Sequence, residues 1–155
     1  MAKVILESLN KVFTSKIGND VKAVNNFNLL LEDGEILALL GSSGCGKTTT
    51  LRMIAGFETA SSGQIKIGER IVNDLKPAER NVAMAFEGYA LYPPLTVRDN
   101  IAFSLMREKI SKEKVDSKVM EVAELLEITD ILERYPPSIS GGQQQRVSLA
   151  RALVR

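Results

Sequence analysis

Residues 41–48 read Gly-Ser-Ser-Gly-Cys-Gly-Lys-Thr. The spacing fits G-x-x-x-x-G-K-S/T at each fixed position, and that pattern has a mechanism. Glycines at 41, 44 and 46 allow positive φ. The loop Gly41, Ser42, Ser43, Gly44, Cys45, Gly46 can then turn successive backbone N–H groups round an anion. A helix opening at the end of the loop adds the positive end of its dipole. Lys47 can reach the β- and γ-phosphates of a nucleotide, and the Thr48 hydroxyl can bind Mg²⁺. Thr49 has two readings, a second hydroxyl at the magnesium or a helix-capping residue. Cys45 reads as a small packing residue, because phosphate would fill the amide nest beside it.

A second constellation is Ile139-Ser140-Gly141-Gly142-Gln143. Serine before two glycines at a helix start suits either an N-cap or an anion cradle. By itself it is weak. It gains specificity from standing about 95 residues after the phosphate loop and just before Gln144-Gln-Arg-Val147.

What the chain lacks narrows the chemistry. It has no His and one Cys, so it can build no imidazole base, no Cys-His nucleophile and no intrachain disulfide. Twenty Lys+Arg against 19 Asp+Glu give a net charge of +1, which provides no global attraction to nucleic acid. No apolar run approaches the roughly 18 residues that span a bilayer, so the expectation is a cytosolic chain or one attached to a membrane only through a partner.

The elements that must position these loops follow from periodicity. Residues 3–8 and 21–32 read as two antiparallel strands. Residues 35–40, Glu-Ile-Leu-Ala-Leu-Leu, form a short apolar run between turns, which predicts a strand buried on both faces. Residues 47–55 read as a helix stopped by Gly56. Short strands are predicted at 63–68, 70–72 and 81–86. Thr96 and Asp99 resemble a capping box for a helix from Val97, Ser111 caps a second, and Thr129 a short third. The second helix carries Val115, Val119, Val122 and Leu126 on one face. A last helix runs from Gly141 with Val147, Ala150 and Val154 along one side. The order predicts an α/β core with a helical insertion at about 90–140.

Three segments carry a family resemblance: GSSGCGKTTTLRMIAG at 41–56, NVAMAFEGYALYPPLTVRDNIAF at 81–103 and SISGGQQQRVSLARALVR at 138–155. The sequence resembles the nucleotide-binding subunits of ABC transporters, and among them those of carbohydrate importers of the maltose and multiple-sugar type. The resemblance covers essentially the whole chain. It implies a P-loop NTPase core of ABC type with an N-terminal antiparallel β subdomain and a helical subdomain. Residues 1–90 would hold the β subdomain and phosphate-loop core, 91–140 the helical subdomain and 141–155 the signature helix. It implies ATP and Mg²⁺ as ligands. Phe13 corresponds to the aromatic that stacks on adenine, the alternative being a core Phe at a strand end. Ser140, Gly141, Gly142 and Gln143 would contact the γ-phosphate held by a second ATP-binding subunit in a head-to-tail dimer. Residues 89–94 and the helix after Thr96 would face transmembrane permease subunits. Tyr89 and Tyr92 would either line a groove for a partner helix or pack the subdomain. The location implied is peripheral, at the cytoplasmic face of the plasma (inner) membrane.

Two positions depart from the family pattern. Ser42 replaces a common Pro, in a loop position that fixes no ligand. Glu87 replaces a Gln that touches Mg²⁺ and the attacking water. A carboxylate there could raise metal affinity or misplace the water. The family's next elements are a Walker B strand ending in Asp and Glu, and farther on a His at the γ-phosphate. The sequence given ends at Arg155, ahead of these. The expectation is an incomplete piece of a subunit, the alternative a natural fragment that binds nucleotide or a partner without hydrolysis. On either account residues 37, 39, 83 and 86 would meet an open apolar edge.

Overall fold

The computed structural model describes residues 2–15, 18–86, 88, 90–107 and 110–155. They form two compact units, Met1–Val82 and Ala83–Arg155. The first is built on a sheet of strands β1 (Val4–Phe13), β2 (Val21–Leu31), β3 (Ser62–Ile67) and β4 (Arg70–Ile71). Its order is β2-β1-β3-β4, and every neighbouring pair is antiparallel. Helix α1 (Lys47–Ala55) is the one α-helix of this unit among the described residues.

β1 runs five residues past the end expected for it, through an irregularity that serves the core. Leu6 and Leu9 are both fully buried. They are three apart, which strict alternation along a strand would put on opposite faces. A bulge re-phases the strand between them. Ser8 has φ 47°, and the pairing jumps from Leu6–Leu29 to Leu9–Phe27, with Asn26 at φ 45° on β2. Two asparagines satisfy the backbone groups this leaves. The Asn28 side chain accepts from the Ser8 N–H (2.7 Å) and donates to the Asn26 carbonyl (3.0 Å). Asn10 accepts from the Asn26 N–H (2.8 Å) and donates to the Ser8 carbonyl (2.7 Å). On the other side Gly63 of β3 fits under the bulge. A Cβ there would lie 2.4 Å from the Ser8 carbonyl oxygen and 2.7 Å from Leu9 Cα, at φ 91°.

α1 packs Met53 into the cluster of Leu6, Leu9, Val24, Ile65 and Val72. Burying a side chain of this size contributes roughly 1.5–3 kcal/mol. The helix ends in a Schellman motif: Phe57 N–H donates to Arg52 O (2.9 Å) and Gly56 N–H to Met53 O (3.3 Å). Arg80 seals the same end. Its buried guanidinium donates to the carbonyls of Met53 (2.6 Å), Ile54 (3.0 Å), Asn73 (3.0 Å) and Leu75 (2.9 Å). A positive charge at a helix C-terminus is favourable, and here it also ties α1 to the 73–75 turn.

Two expected strands do not form. Residues 35–40 pair with no strand of the sheet, and Ile36 and Leu40 are 99% and 90% exposed. Residues 81–86 likewise form no strand, and follow a turn with Asn81 at φ 51°. A strand buried on both faces needs hydrogen-bonding neighbours as well as apolar side chains. Among the described residues neither segment joins the four-stranded sheet. Leu37, Ala83 and Phe86 are exposed and Leu39 half-buried.

The second unit packs three helices, α2 (Val97–Ala102), α3 (Lys112–Leu125) and α4 (Gly141–Leu153), round Val97, Ile101, Leu105, Val119, Ile131 and Val147. Thr96, Ser111 and Ser140 each cap their helix by accepting the N–H three residues on. The apolar faces fall as the periodicity requires, with Val119, Val122, Val147, Ala150 and Val154 buried. The short third helix is a single 3-10 turn, Thr129–Ile131, with Ile128 in the capping position instead of Thr129.

Gly63→Ala is expected to destabilise the first unit by about 2–3 kcal/mol, because it combines a left-handed φ with contact against rigid backbone. A urea midpoint unchanged from the wild type would show that the bulge tolerates a side chain beneath it.

Candidate functional site

The phosphate loop opens α1 as expected. Gly46 sits at the N-cap with φ 94°, and no side chain caps this end. The first-turn N–H groups of a helix lack intrahelical partners, so here they are donors available to an anion. Gly46 is held against β2: a Cβ at this position would lie 2.3 Å from the Ala23 carbonyl oxygen. A Cβ at Gly41 would lie 2.6 Å from Cys45 Sγ, and Cys45 itself is exposed. Lys47 folds over the loop. Its ammonium donates to the carbonyls of Gly41 and Ser42, both at 2.7 Å, and lies 3.4 Å from Cys45 Sγ. The positive charge is therefore held at the mouth of the loop.

Thr48 is exposed in the first turn and Thr49 half-buried. The threonine that braces the loop is the third. Thr50 is buried, and its hydroxyl donates to the Gly46 carbonyl at 3.0 Å. A return bond to the i−4 carbonyl is a known habit of helical threonine, so its spacing from Gly46 was a usable signal. A cleft of about 400 Å³ lies between the start of β2 (Lys22, Val24, Phe27) and the loop at Gly44 and Lys47, floored in part by Leu39 and Leu40.

These donors fit a nucleotide. Gly41 and Gly46 have no room for a side chain, Gly44 holds φ 82°, the helix end is uncapped, and Lys47 and Thr48 stand in its first turn. Mg²⁺ suits the site in a limited sense. Among the described residues no cluster of three or more His, Cys, Asp or Glu could hold a metal by itself. Magnesium is usually shared between substrate phosphates and one or two protein oxygens, and Thr48 offers one. Glu87, the expected second, lies outside the described residues, as does Tyr89.

Phe13 belongs to the same unit, at the end of β1. It is 41% exposed, which removes the reading of a core Phe. The Lys11 ammonium lies 4.8 Å from its ring centroid. Lys11 is itself buried and pairs with Glu58 at 2.7 Å. That hydrogen bond, above all else, holds the Glu58 carboxyl below its ordinary value of 4.5, against the opposing effect of partial burial.

Ser140, Gly141, Gly142 and Gln143 lie in the second unit and form a reciprocal capping box. Ser140 Oγ accepts from Gln143 N–H (3.3 Å), and Gln143 Oε1 accepts from Ser140 N–H (2.9 Å). A Cβ at Gly142 would meet nothing within 4 Å. The chain's own packing thus gives no reason for glycine there. In the same unit Asn100, fully buried, was overlooked by sequence reasoning. Its side chain donates to the carbonyls of Tyr92, Leu95 and Thr96 and accepts from Tyr92 N–H, closing the 92–96 loop onto α2. Tyr92 is half-exposed, 4.5 Å from Phe103 and 4.8 Å from the Arg151 guanidinium.

A glycine loop that opens a helix with Lys-Thr, in a unit of antiparallel sheet and helix, defines a nucleotide-binding α/β protein of the P-loop class. Residues 24–155 match the ABC transporter family, and the chain belongs to that family. It is 49% identical over its whole length to the sn-glycerol-3-phosphate import ATP-binding protein UgpC 3 of Agrobacterium fabrum, and spans 43% of that protein. It is 52% identical to the trehalose/maltose import ATP-binding protein MalK of Thermococcus litoralis, of which it spans 42%. The ATP-binding cassette MJ0796, solved as a dimer in a post-hydrolysis state bound to ADP and Pi, matches with a TM-score of 0.87. Identity there is 30%, over 97% of this chain and 69% of that one. The fold is that of an ABC ATPase cassette. The chain spans less than half the length of the curated relatives named here. Among the described residues no helix is long and apolar enough to cross a membrane.

A depressed folded-state pKa adds stability above the unfolded value, and that stability is lost as pH falls through the folded value. Glu58 therefore stabilises the first unit in full above pH 4.5 and loses that contribution progressively as pH falls from there through its lowered folded value. The stability difference between wild type and Glu58→Gln is expected to be flat above that pH and to shrink on acidification. A difference that grows toward acid would contradict the ion pair.

Proposed function

We propose that the protein carrying this chain is the ATP-binding subunit of an ABC importer, coupling ATP binding and hydrolysis to uptake of a solute of the carbohydrate class. The observation that carries the reading is the uncapped N-terminus of α1, with the Lys47 ammonium held over the loop at 2.7 Å from two of its carbonyls. The proteins it resembles are named for import of sn-glycerol-3-phosphate and of trehalose and maltose, which supports the carbohydrate class.

In this reading the loop from Gly41 to Gly46 and the first turn of α1 bind the phosphates. Lys47 is the catalytic cation, stabilising charge on the transferred phosphoryl group, and Thr48 holds Mg²⁺. The metal, when bound, neutralises charge on the β- and γ-phosphates. Glu87 would serve as a second magnesium ligand, a carboxylate in place of the family's glutamine. Phe13 stacks on the base. Ser140, Gly141, Gly142 and Gln143 contact the γ-phosphate held by a second subunit, in a head-to-tail dimer. The open space above Gly142 supports that role, since a close approach from outside the chain is what would require glycine there.

Tyr92, placed by Asn100 and flanked by Phe103 and Arg151, belongs to the surface that meets the transmembrane permease subunits. Exposed aromatics beside an arginine suit a partner helix with an apolar face. The subunit then sits peripherally, on the cytoplasmic face of the inner membrane. ATP binding draws two subunits together, and hydrolysis releases them.

Lys47→Ala in the intact protein is expected to reduce Mg-ATP turnover by at least about 10³-fold, the scale on which charge stabilisation in phosphoryl transfer acts. Phosphate release measured at saturating ATP decides it, and wild-type turnover in that variant would sink the assignment.

A further inference from the structure

Lys11 occupies a position where a charge is expensive. It stands on β1, in line with Leu9, and the residue is 8% exposed. Burying an ammonium is costly, and an apolar side chain of similar volume would hold a strand to its surroundings at least as well. What an apolar residue could not do is place a positive charge on an aromatic face. The Lys11 ammonium has three hydrogens, and three groups receive it. Glu58 Oε1 accepts at 2.7 Å, the Thr59 carbonyl at 2.8 Å, and the Phe13 ring lies with its centroid at 4.8 Å.

The anchor of this cation is itself anchored. Glu58 follows the Schellman end of α1, and its N–H donates to the Arg52 carbonyl at 3.2 Å. The end of β1 is tied to the same stretch, with Ser61 N–H donating to Asn10 O (2.9 Å) and Val12 N–H to Ser61 Oγ (3.0 Å). Phe13 is thus connected through Lys11 and Glu58 to the far end of the helix whose first turn opens the phosphate loop. Phe13 is 41% exposed, so covering one ring face with the ammonium leaves ring surface open to a planar ligand.

We infer that Lys11 is a positioning residue for the nucleotide base: it clamps one face of Phe13 so that the exposed face is presented for stacking, and Glu58 holds Lys11 in place. The inference rests on the reading of Phe13 as the base platform. Its consequence is selective. Loss of the clamp weakens binding of a ligand that has a base and leaves binding of a bare polyphosphate as it was.

The test compares dissociation constants of Mg-ATP and of magnesium tripolyphosphate, measured calorimetrically on the intact protein. Phe13→Ala should weaken ATP binding about tenfold, as loss of one stacked base does, and leave tripolyphosphate within about twofold. Lys11→Met should show the same selectivity, Lys11→Arg should restore most ATP affinity, and the double variant should bind ATP no more weakly than Phe13→Ala alone. If Phe13→Ala leaves the ratio of the two constants unchanged, the base platform fails and the clamp with it. If Phe13→Ala shifts the ratio and Lys11→Met does not, the clamp alone is wrong. Equal weakening of both ligands by Lys11→Met would mark Lys11 as a purely structural residue and also overturn the inference. Should Lys11→Met fail to fold, Glu58→Gln decides in its place: a shifted ratio supports the clamp, and an unchanged or equally weakened pair refutes it.

Discussion

Leu6 and Leu9 must enter one core from one strand, and a regular strand cannot do this. The bulge at Ser8 resolves the conflict, and much of the first unit follows from it. The extra residue requires a left-handed Ser8 opposite a left-handed Asn26. Those conformations leave backbone groups that Asn10 and Asn28 satisfy, and they bring the Ser8 carbonyl so close to β3 that only glycine fits at 63. Beyond the bulge the strand emerges in the new phase. Leu9 and Lys11 point inward and Phe13 ends the series at the surface. With the phase of Leu6 continued unbroken, Lys11 would lie on the opposite face and Phe13 with it. The placement of the candidate base platform is therefore a consequence of how a leucine pair is buried.

The two antiparallel strands, the helix after the phosphate loop and the capped helices were legible because their signals are local. Period, cap and breaker all lie within a few residues of the element they specify. The continuation of β1 was not legible. Asn10 and Lys11 look like the polar end of a strand, and their purpose appears only when Asn26 and Glu58 are beside them. Residues 35–40 failed in the opposite direction. Their apolar run states what a segment would bury and is silent on whether a neighbour is at hand to pair with it. Period predicts a face; pairing is a property of the sheet.

The candidate site divides the same way. The glycines, Lys47 and Thr48 are visible because a phosphate imposes its own spacing on a single loop. Thr50, Arg80 and Asn100 were missed, although each contributes several or critical bonds. They satisfy carbonyls of the main chain, and a carbonyl is present at every residue, so sequence carries no mark of which one needs a donor. Arg80 is the clearest case. It has the look of an exposed basic residue in a polar turn, yet it is buried, and its partners are four main-chain oxygens instead of a carboxylate.

Two helices of the second unit begin with the same signal and end with different chemistry. At α2, Thr96 Oγ1 accepts from Asp99 N–H and donates its own hydrogen to Asp99 Oδ2 at 2.8 Å. The hydroxyl is used on both sides and a carboxylate sits at the helix start, so the box closes on itself and would repel an anion. At α4, Ser140 also accepts the third N–H, but its partner is an amide. Gln143 spends its Oε1 on the Ser140 N–H. The box uses acceptors only: the Ser140 hydroxyl hydrogen and both hydrogens on Gln143 Nε2 remain donors by the inventory of these groups. A capping role and an anion-contacting role, alternatives when the motif is read as sequence, are thus compatible in the same two side chains. Replacing Gln by Asp would keep the cap and remove the donors, which is the arrangement α2 already displays. The amide at 143 is what leaves this helix start with side-chain donors, as the proposed contact with a phosphate requires.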